Sequence, residues 1–266
     1  MAKIKGSKRT KQDLPDMVAG VTGETAIVEE FRKVYYNLYN SCNTSEAMSE
    51  LRKIVQSEIN HDSVLEINLI TSDFVKAAVA RLKSSKGDVT GSYTSDAIKA
   101  CPDSFFHCLA AVFRSWLTHG SVTPSFLACA FLPLFKGGLK DPSNTDSYRA
   151  VAGASVILKV FDYVVLYLWG DLLCTDTLQF GYKKNTSTTQ CSWLVLEVAR
   201  HYLQQGTACV VALLDCSKAF DMCSFEMIFK KLLDRKLSAV VIRCLMFIYQ
   251  HQVSWVKQTW KNFLAA

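Results

Sequence analysis

The stretch Val210-Val211-Ala212-Leu213-Leu214-Asp215-Cys216-Ser217-Lys218-Ala219-Phe220-Asp221 sets an acid at the end of a short apolar run. Such a run predicts a buried central strand over Ala208–Leu214, with Asp215 at its C-terminal end. A rigid strand fixes the carboxylate, and burial makes it demand a cation or hydrogen-bond donors. Two roles fit that position: a ligand for a divalent metal, or a cap for the segment that follows. Other signatures of chemistry are missing. The chain has no P-loop, H-E-x-x-H helix, G-x-G-x-x-G turn, G-x-S-x-G elbow or EF-hand loop.

The ten cysteines fall at 42, 101, 108, 129, 174, 191, 209, 216, 223 and 244, with no C-x-x-C pair and no histidine set beside them. That spacing predicts no structural metal. No apolar h-region follows the basic start, so reduced thiols in a cytosolic or nuclear setting are expected, and the sequons at Asn43 and Asn185 carry no weight.

The elements that must hold Asp215 are mostly helical. Helical spacing predicts segments over Gly23–Asn40 (stripe Ile27, Phe31, Val34, Tyr35, Leu38), Ser45–Ile59, and Ser72–Leu82 with Ser72 and Asp73 as caps. Further helices are expected at Ser95–Ala100, Phe105–Thr118 closed by Gly120, Val156–Trp169, Thr188–Gln205, Phe225–Leu233 and Ala239–Tyr249. Leu127–Phe135 reads as a buried strand, followed by a polar turn over Lys136–Ser147. Strands separated by more numerous helices give an α+β or α/β class.

Half of the 266 residues are apolar and a fifth are charged, which excludes a disordered or low-complexity chain. No run approaches the roughly 20 apolar residues of a membrane span, so no membrane partner is expected. The net charge of +6 is uneven. Lys3, Lys5, Lys8, Arg9 and Lys11 crowd the first eleven residues, and seven Lys/Arg oppose only Glu226 and Asp234 after Met222. Lys230, Lys231, Arg235 and Lys236 fit either a solvated helix face or a set of phosphate contacts.

Four motifs in order resemble the reverse transcriptases of non-LTR, LINE-type retrotransposons. Asp141-Pro-Ser-Asn144 with Tyr148-Arg149 resembles D-P-x-N-Y-R-P-I, and Ser155…Lys159 is similar to the S-x-x-x-K-x-x-E helix. Gln179-Phe180-Gly181-Tyr182 with Ser187-Thr188 resembles Q-x-G-F-x-x-x-x-S-T, and Asp215–Asp221 resembles motif A. Together they cover roughly Asp73 to Tyr249.

The resemblance implies an α+β right-hand polymerase fold. Residues 1–65 would form a basic tail and helical extension, 66–155 the fingers, and 156–266 a partial palm, with no thumb. It implies RNA-directed DNA polymerase chemistry, in which two Mg²⁺ ions serve nucleotidyl transfer from a dNTP to a DNA primer on an RNA template. Asp215 then holds the metal position and is the catalytic residue. Phe220 would sit under the incoming sugar and exclude a 2′-hydroxyl, with core packing as its other role. Arg149 would grip the triphosphate, or else form a surface ion pair, and Lys136 would be its partner cation. Lys218 reads as a solvated charge and Asp221 as a turn or cap residue.

The sequence departs from the family at several points. Ala150 replaces a proline, Asp162 a glutamate and Thr186 a basic residue, and Lys86-Gly-Asp-Val-Thr-Gly91 blurs K-x-x-G-x-D-G. No A-D-D pair follows motif A, and the chain stops before the G-x-x-Q-G segment. The expectation is therefore a fragment that does not polymerise alone. The alternative is a non-enzymatic nucleic-acid-binding remnant. A third reading, an unrelated phosphoryl-transfer enzyme built on Asp215, lacks a phosphate-cradling loop.

Overall fold

The computed structural model describes residues 15–40, 45–173 and 175–257. The basic tail, Cys42, Asn43, Cys174 and residues 258–266 lie outside the described residues. A short hairpin, β1 (Met17–Val18) and β2 (Val21–Thr22), leads into α1 (Glu24–Asn40), α2 (Ser45–Ser57) and α3 (His61–Ile67). Next come α4 (Ser72–Ala80), α5 (Ser95–Lys99), α6 (Asp103–His119), β3 (Ala128–Phe135), β4 (Tyr148–Ala154) and α7 (Val156–Trp169). The chain continues through α8 (Thr188–Gln204), α9 (Phe225–Asp234), α10 (Ala239–His251) and β5 (Val253–Val256). The architecture is α+β.

The sheet has the order β4-β3-β5. β3 and β4 form a hairpin, from Phe135 opposite Tyr148 to Cys129 opposite Ala154, around the predicted polar turn. β5 runs parallel to β3, with Ala128 opposite Val253. Such a parallel neighbour needs a long crossover, and here more than a hundred residues intervene. One edge of the hairpin is therefore covered by a distant part of the chain.

Two apolar clusters hold these parts together. The larger joins Val75, Val79, Phe113, Trp116, Val160, Phe161, Val164, Val241 and Ile242, and reaches Leu51 and Val55 on α2. The smaller packs Val18, Ile27, Phe31, Tyr35 and Tyr148 beneath Phe131 and Phe135. Phe31 meets Tyr148 edge-on at 5.0 Å between ring centroids, so α1 is fastened to the inner face of the hairpin.

Local chemistry explains where the helices begin and end. The Thr71 hydroxyl caps α4, one residue ahead of the Ser72–Asp73 pair that the sequence favours. Gly120 closes α6 at φ 64, a left-handed position suited to glycine. Arg243 reaches across from α10, and its Nη2 donates to the carbonyls of Leu117 at 2.7 Å and Thr118 at 2.8 Å. A cation thus satisfies the open carbonyls of a helix C-terminus.

Ala208–Leu214 corrects the sequence expectation. It is irregular, not a central strand, and Val210, Leu213 and Leu214 are each more than nine-tenths exposed. A strand exists only through its ladder, and no described strand lies beside this run to pair with it. Asp215 accordingly follows an unpaired segment. The helix α8 forms where expected, opened by a capping box between Ser187 and Gln190, yet none of its residues is buried.

Candidate functional site

The β3–β4 hairpin sets two cations on one face. Arg149 stands opposite Leu134 in the ladder, and Lys136 follows Leu134 by two residues, so alternation brings both to the same side. Tyr148, one residue before Arg149, is buried while Arg149 is exposed. The Lys136 backbone N–H extends the ladder to Ser147 O at 2.8 Å, and its Nζ donates to Asp146 O at 2.5 Å.

The Asp215–Asp221 segment comes to this hairpin from the other side. Lys218 takes a left-handed φ of 52°, and its carbonyl accepts from the N–H groups of Asp221 and Met222, which folds the segment into a tight turn. Two side-chain bonds hold the turn in place. Lys218 Nζ pairs with Asp146 Oδ1 at 2.9 Å, and the Tyr39 hydroxyl of α1 donates to Asp221 Oδ1 at 2.8 Å. Lys218 is thus an ion-pair partner and Asp221 a tethered acceptor.

Between hairpin, turn and α1 lies an open cavity of about 310 Å³. Lys136, Arg149 and Lys218 supply three cations to its wall, Asp146 and Asp221 two acids, and Tyr35 and Phe220 aromatic surface. Phe220 is 72% exposed and meets the ring of Tyr182 edge-on, at 5.4 Å between centroids, so it does not pack in the core. Three of the four residues singled out from sequence, Lys136, Arg149 and Phe220, therefore share one cavity. Asp215 is exposed and does not line it.

The electrostatics follow from these contacts. The Lys218 ammonium holds the Asp146 carboxyl below its ordinary range. Burial raises the Tyr39 phenol well above its usual value, and the bond to Asp221 raises it further. Burial does the same to Tyr35, whose hydroxyl is enclosed in the cavity wall without a hydrogen-bond partner among the described residues. Cations beside a ring-lined hollow can take a phosphorylated ligand that carries a sugar or base.

A divalent metal fits this set poorly. Among the described residues no three His, Cys, Asp or Glu side chains gather as a ligand group. Mg²⁺ demands near-octahedral oxygen coordination, and one exposed carboxylate at Asp215 does not provide it. The four basic residues Lys230, Lys231, Arg235 and Lys236 are exposed around the C-terminal end of α9. Cations there complement the helix dipole.

The sequence pattern gave no warning of Tyr39 or Asp146. Tyr35 was visible only as part of an apolar stripe, and Tyr39 continues that stripe by one helical turn, which is the signal that could have found it. Asp146 sits in a polar turn whose composition says nothing of partners. Neither a scan against protein-family models nor a search of curated proteins finds a match to this chain. Among the described residues, no helix is long and apolar enough to cross a membrane.

Proposed function

We propose that this chain is the fingers and motif A portion of a right-hand polymerase of the non-LTR reverse transcriptase type, and that the cavity beside Arg149 takes up a deoxynucleoside triphosphate. The observation that carries the reading is convergence. Lys136 and Arg149 of the hairpin and Phe220, some seventy residues further on, all chosen by motif position, line one hollow of about 310 Å³. Arg149 offers a planar fork to phosphate oxygens, with Lys136 as a second charge. Phe220 offers an exposed ring for the sugar. The family chemistry is nucleotidyl transfer to a DNA primer on an RNA template. No step through Mg²⁺ is assigned to this chain, because among the described residues no three His, Cys, Asp or Glu side chains gather as a ligand group around Asp215 or elsewhere.

That last observation favours a second reading, a nucleic-acid-binding remnant that retains the nucleotide-facing surface without polymerising. Both readings are tested on the purified chain. A fluorescent dATP analogue should bind, Arg149→Ala should weaken it about tenfold or more, and Phe220→Ala should narrow the preference for dATP over ATP. Equal binding by Arg149→Ala would remove the first reading. Primer extension on an oligo(dT)-primed RNA template in Mg²⁺ separates the two. Extension lost in Asp215→Ala would retire the remnant, and none is expected.

A further inference from the structure

The outer edge of β4 is open. At the loop end of the hairpin the Lys136 N–H donates to Ser147 O at 2.8 Å, so these two residues form a hydrogen-bonded pair. Bonded and non-bonded pairs alternate along an antiparallel ladder, which makes Arg149, Val151 and Gly153 the residues that bond β3. Ala150, Ala152 and Ala154 then turn their N–H and C=O groups outward. Two features agree with that register. Pro133, which has no N–H to give, stands opposite Ala150. Phe131, opposite Ala152, offers its carbonyl to the Lys257 N–H at 2.8 Å, on the side away from β4. β4 is the last strand of its sheet, and among the described residues no backbone group bonds the outward groups of Ala152 and Ala154.

That edge borders a second hollow, of about 420 Å³. Ala152, Gly153 and Ala154 form one wall, while Lys83 and Lys86 of the loop after α4 and Lys159 of the first turn of α7 bring three exposed cations. No carboxylate lines the hollow, and none of the three lysines forms an ion pair among the described residues. Their backbone is fixed. The buried Ser95 hydroxyl donates to Lys83 O at 2.8 Å and accepts from the Lys86 N–H at 3.1 Å. The buried Asp88 carboxylate accepts the Val156 N–H at 2.8 Å, which locks the start of α7 and so the root of Lys159.

We propose that an extended acidic peptide of another protein adds to β4 as a further strand, its backbone pairing with Ala152 and Ala154 and its carboxylates meeting Lys83, Lys86 and Lys159. Strand addition draws affinity from main-chain bonds and specificity from alternate side chains, and this edge supplies the first beside cations that supply the second. Charge selects the occupant. A second copy pairing β4 to β4 would set two lysine triplets together, and residues 1–11 of the chain are themselves basic. A nucleic-acid strand would answer the lysines but leave the outward groups of the edge without a ladder. The proposal does not rest on the nucleotide reading, which concerns a different cavity and different residues.

The test is fluorescence anisotropy on the full chain with a labelled (Glu-Thr)4 peptide, whose alternation puts every acid on one face. It should bind, and Lys83→Gln/Lys86→Gln/Lys159→Gln should weaken it roughly tenfold, the scale of three exposed ion pairs. Ala152→Pro removes an outward N–H and none of the bonds to β3, a place where an edge strand accepts proline. It should abolish binding with little change in Tm. The same peptide N-methylated at every residue keeps its charge, loses its donors and should not bind the unaltered chain. Amide hydrogen exchange at Ala152 and Ala154 should slow when (Glu-Thr)4 is present. Equal binding by the methylated peptide or by the lysine variant, or unchanged exchange at both alanines, overturns the proposal. So does (Lys-Thr)4 binding as tightly, or labelled U12 binding more tightly and losing that affinity in the lysine variant, which would make the hollow a nucleic-acid groove.

Discussion

The Tyr39 hydroxyl donates to the Asp221 carboxylate at 2.8 Å, joining residues 182 positions apart. The bond ties α1 to the turn that carries Phe220. The Lys218–Asp146 pair attaches the same turn to the loop of the β3–β4 hairpin. Segment 208–214 ahead of the turn pairs with no strand among the described residues and, apart from the half-buried Cys209, is exposed. The turn is therefore held by polar contacts and not by a ladder.

Tyr39→Phe keeps the ring against Phe131, stacked at 5.1 Å, and removes only the hydroxyl. The cost should be about 1–2 kcal/mol, around the lower end of the roughly 1.5–3 kcal/mol of a hydrogen bond to a charged group because the pair is only partly buried. For a chain of this size that lowers Tm by roughly 2–6 °C. Limited proteolysis within 207–223 should quicken at the same time. The pH direction also follows. The folded Tyr39 phenol is raised above its usual value, so its contribution is whole below about pH 10 and is lost as pH rises through the folded value. Alkaline loss of stability that sets in near pH 8 and vanishes in Tyr39→Phe would contradict this.

Gly120 and Arg243 should show coupled effects. A Cβ at residue 120 would overlap the Arg243 side chain, with Cδ at 2.7 Å, and φ there is 64°. Gly120→Ala should cost about 2–3 kcal/mol, combining left-handed strain with displacement of the arginine cap. In an Arg243→Ala background the overlap is gone, and the same substitution should cost only about 1 kcal/mol. Urea melts of the four proteins give the coupling, and strict additivity would show that Arg243 does not close α6.

How far the sequence reveals this molecule depends on the range of the interaction that builds each part. Helices α6, α7 and α10 were legible because their apolar spacing and punctuation by Gly120 are local. The strand β4 was not, since Tyr-Arg-Ala-Val-Ala-Gly-Ala has little strand character and forms because β3 lies beside it. The strand β5 is four residues fixed by a partner far away in sequence. Ala208–Leu214 failed in the opposite direction: its apolar residues have strand character, but strand formation needs a neighbour that the described residues do not supply. The site divides in the same way. Motif order found Lys136, Arg149 and Phe220, while Tyr39 and Asp146 acquire their roles only from tertiary contacts.

Asp88 was read only as part of a blurred glycine loop, yet it is 1% exposed and accepts from Val156 N, Thr90 N and Thr90 Oγ1. Asp88→Ala leaves the first N–H of α7 and the Thr90 hydroxyl without that acceptor. A loss of about 2–3 kcal/mol is expected from a charged cap of this kind. Asp88→Asn keeps an acceptor for Val156 and should cost less. Equal melting of wild type and Asp88→Ala would show that the loop does not brace the helix.

Thiol labelling reports the core directly. Burial pushes the Cys129 thiol up to about 11 and Cys244 up to about 12, while Cys108, Cys191 and Cys216 are exposed. Only the thiolate reacts, so at pH 8 the two buried groups are both protonated and shielded. Mass spectrometry after brief alkylation should find the exposed three modified and Cys129 and Cys244 intact until denaturant is added. Early labelling of Cys129 would mean that the β3–β4–β5 sheet opens readily.

The cations of the cavity are partly occupied by Asp146. Its carboxylate holds Lys218 and its carbonyl holds Lys136, so an incoming polyphosphate competes with both contacts. Asp146→Asn should tighten binding of tripolyphosphate or dATP about two- to fivefold, the scale of one exposed ion pair. Simple removal of a repelling charge predicts the same direction, and Lys218 separates the two explanations. In a Lys218→Ala background the release mechanism has nothing to free, so Asp146→Asn should give little further gain. Repulsion alone would preserve the gain in full. Acid provides an independent check. The folded Asp146 carboxyl lies below its ordinary value, so the ion pair is whole above about pH 4 and breaks as pH falls through the folded value. An NMR titration of the Lys218 ammonium region should show its transition there and lose it in Asp146→Asn.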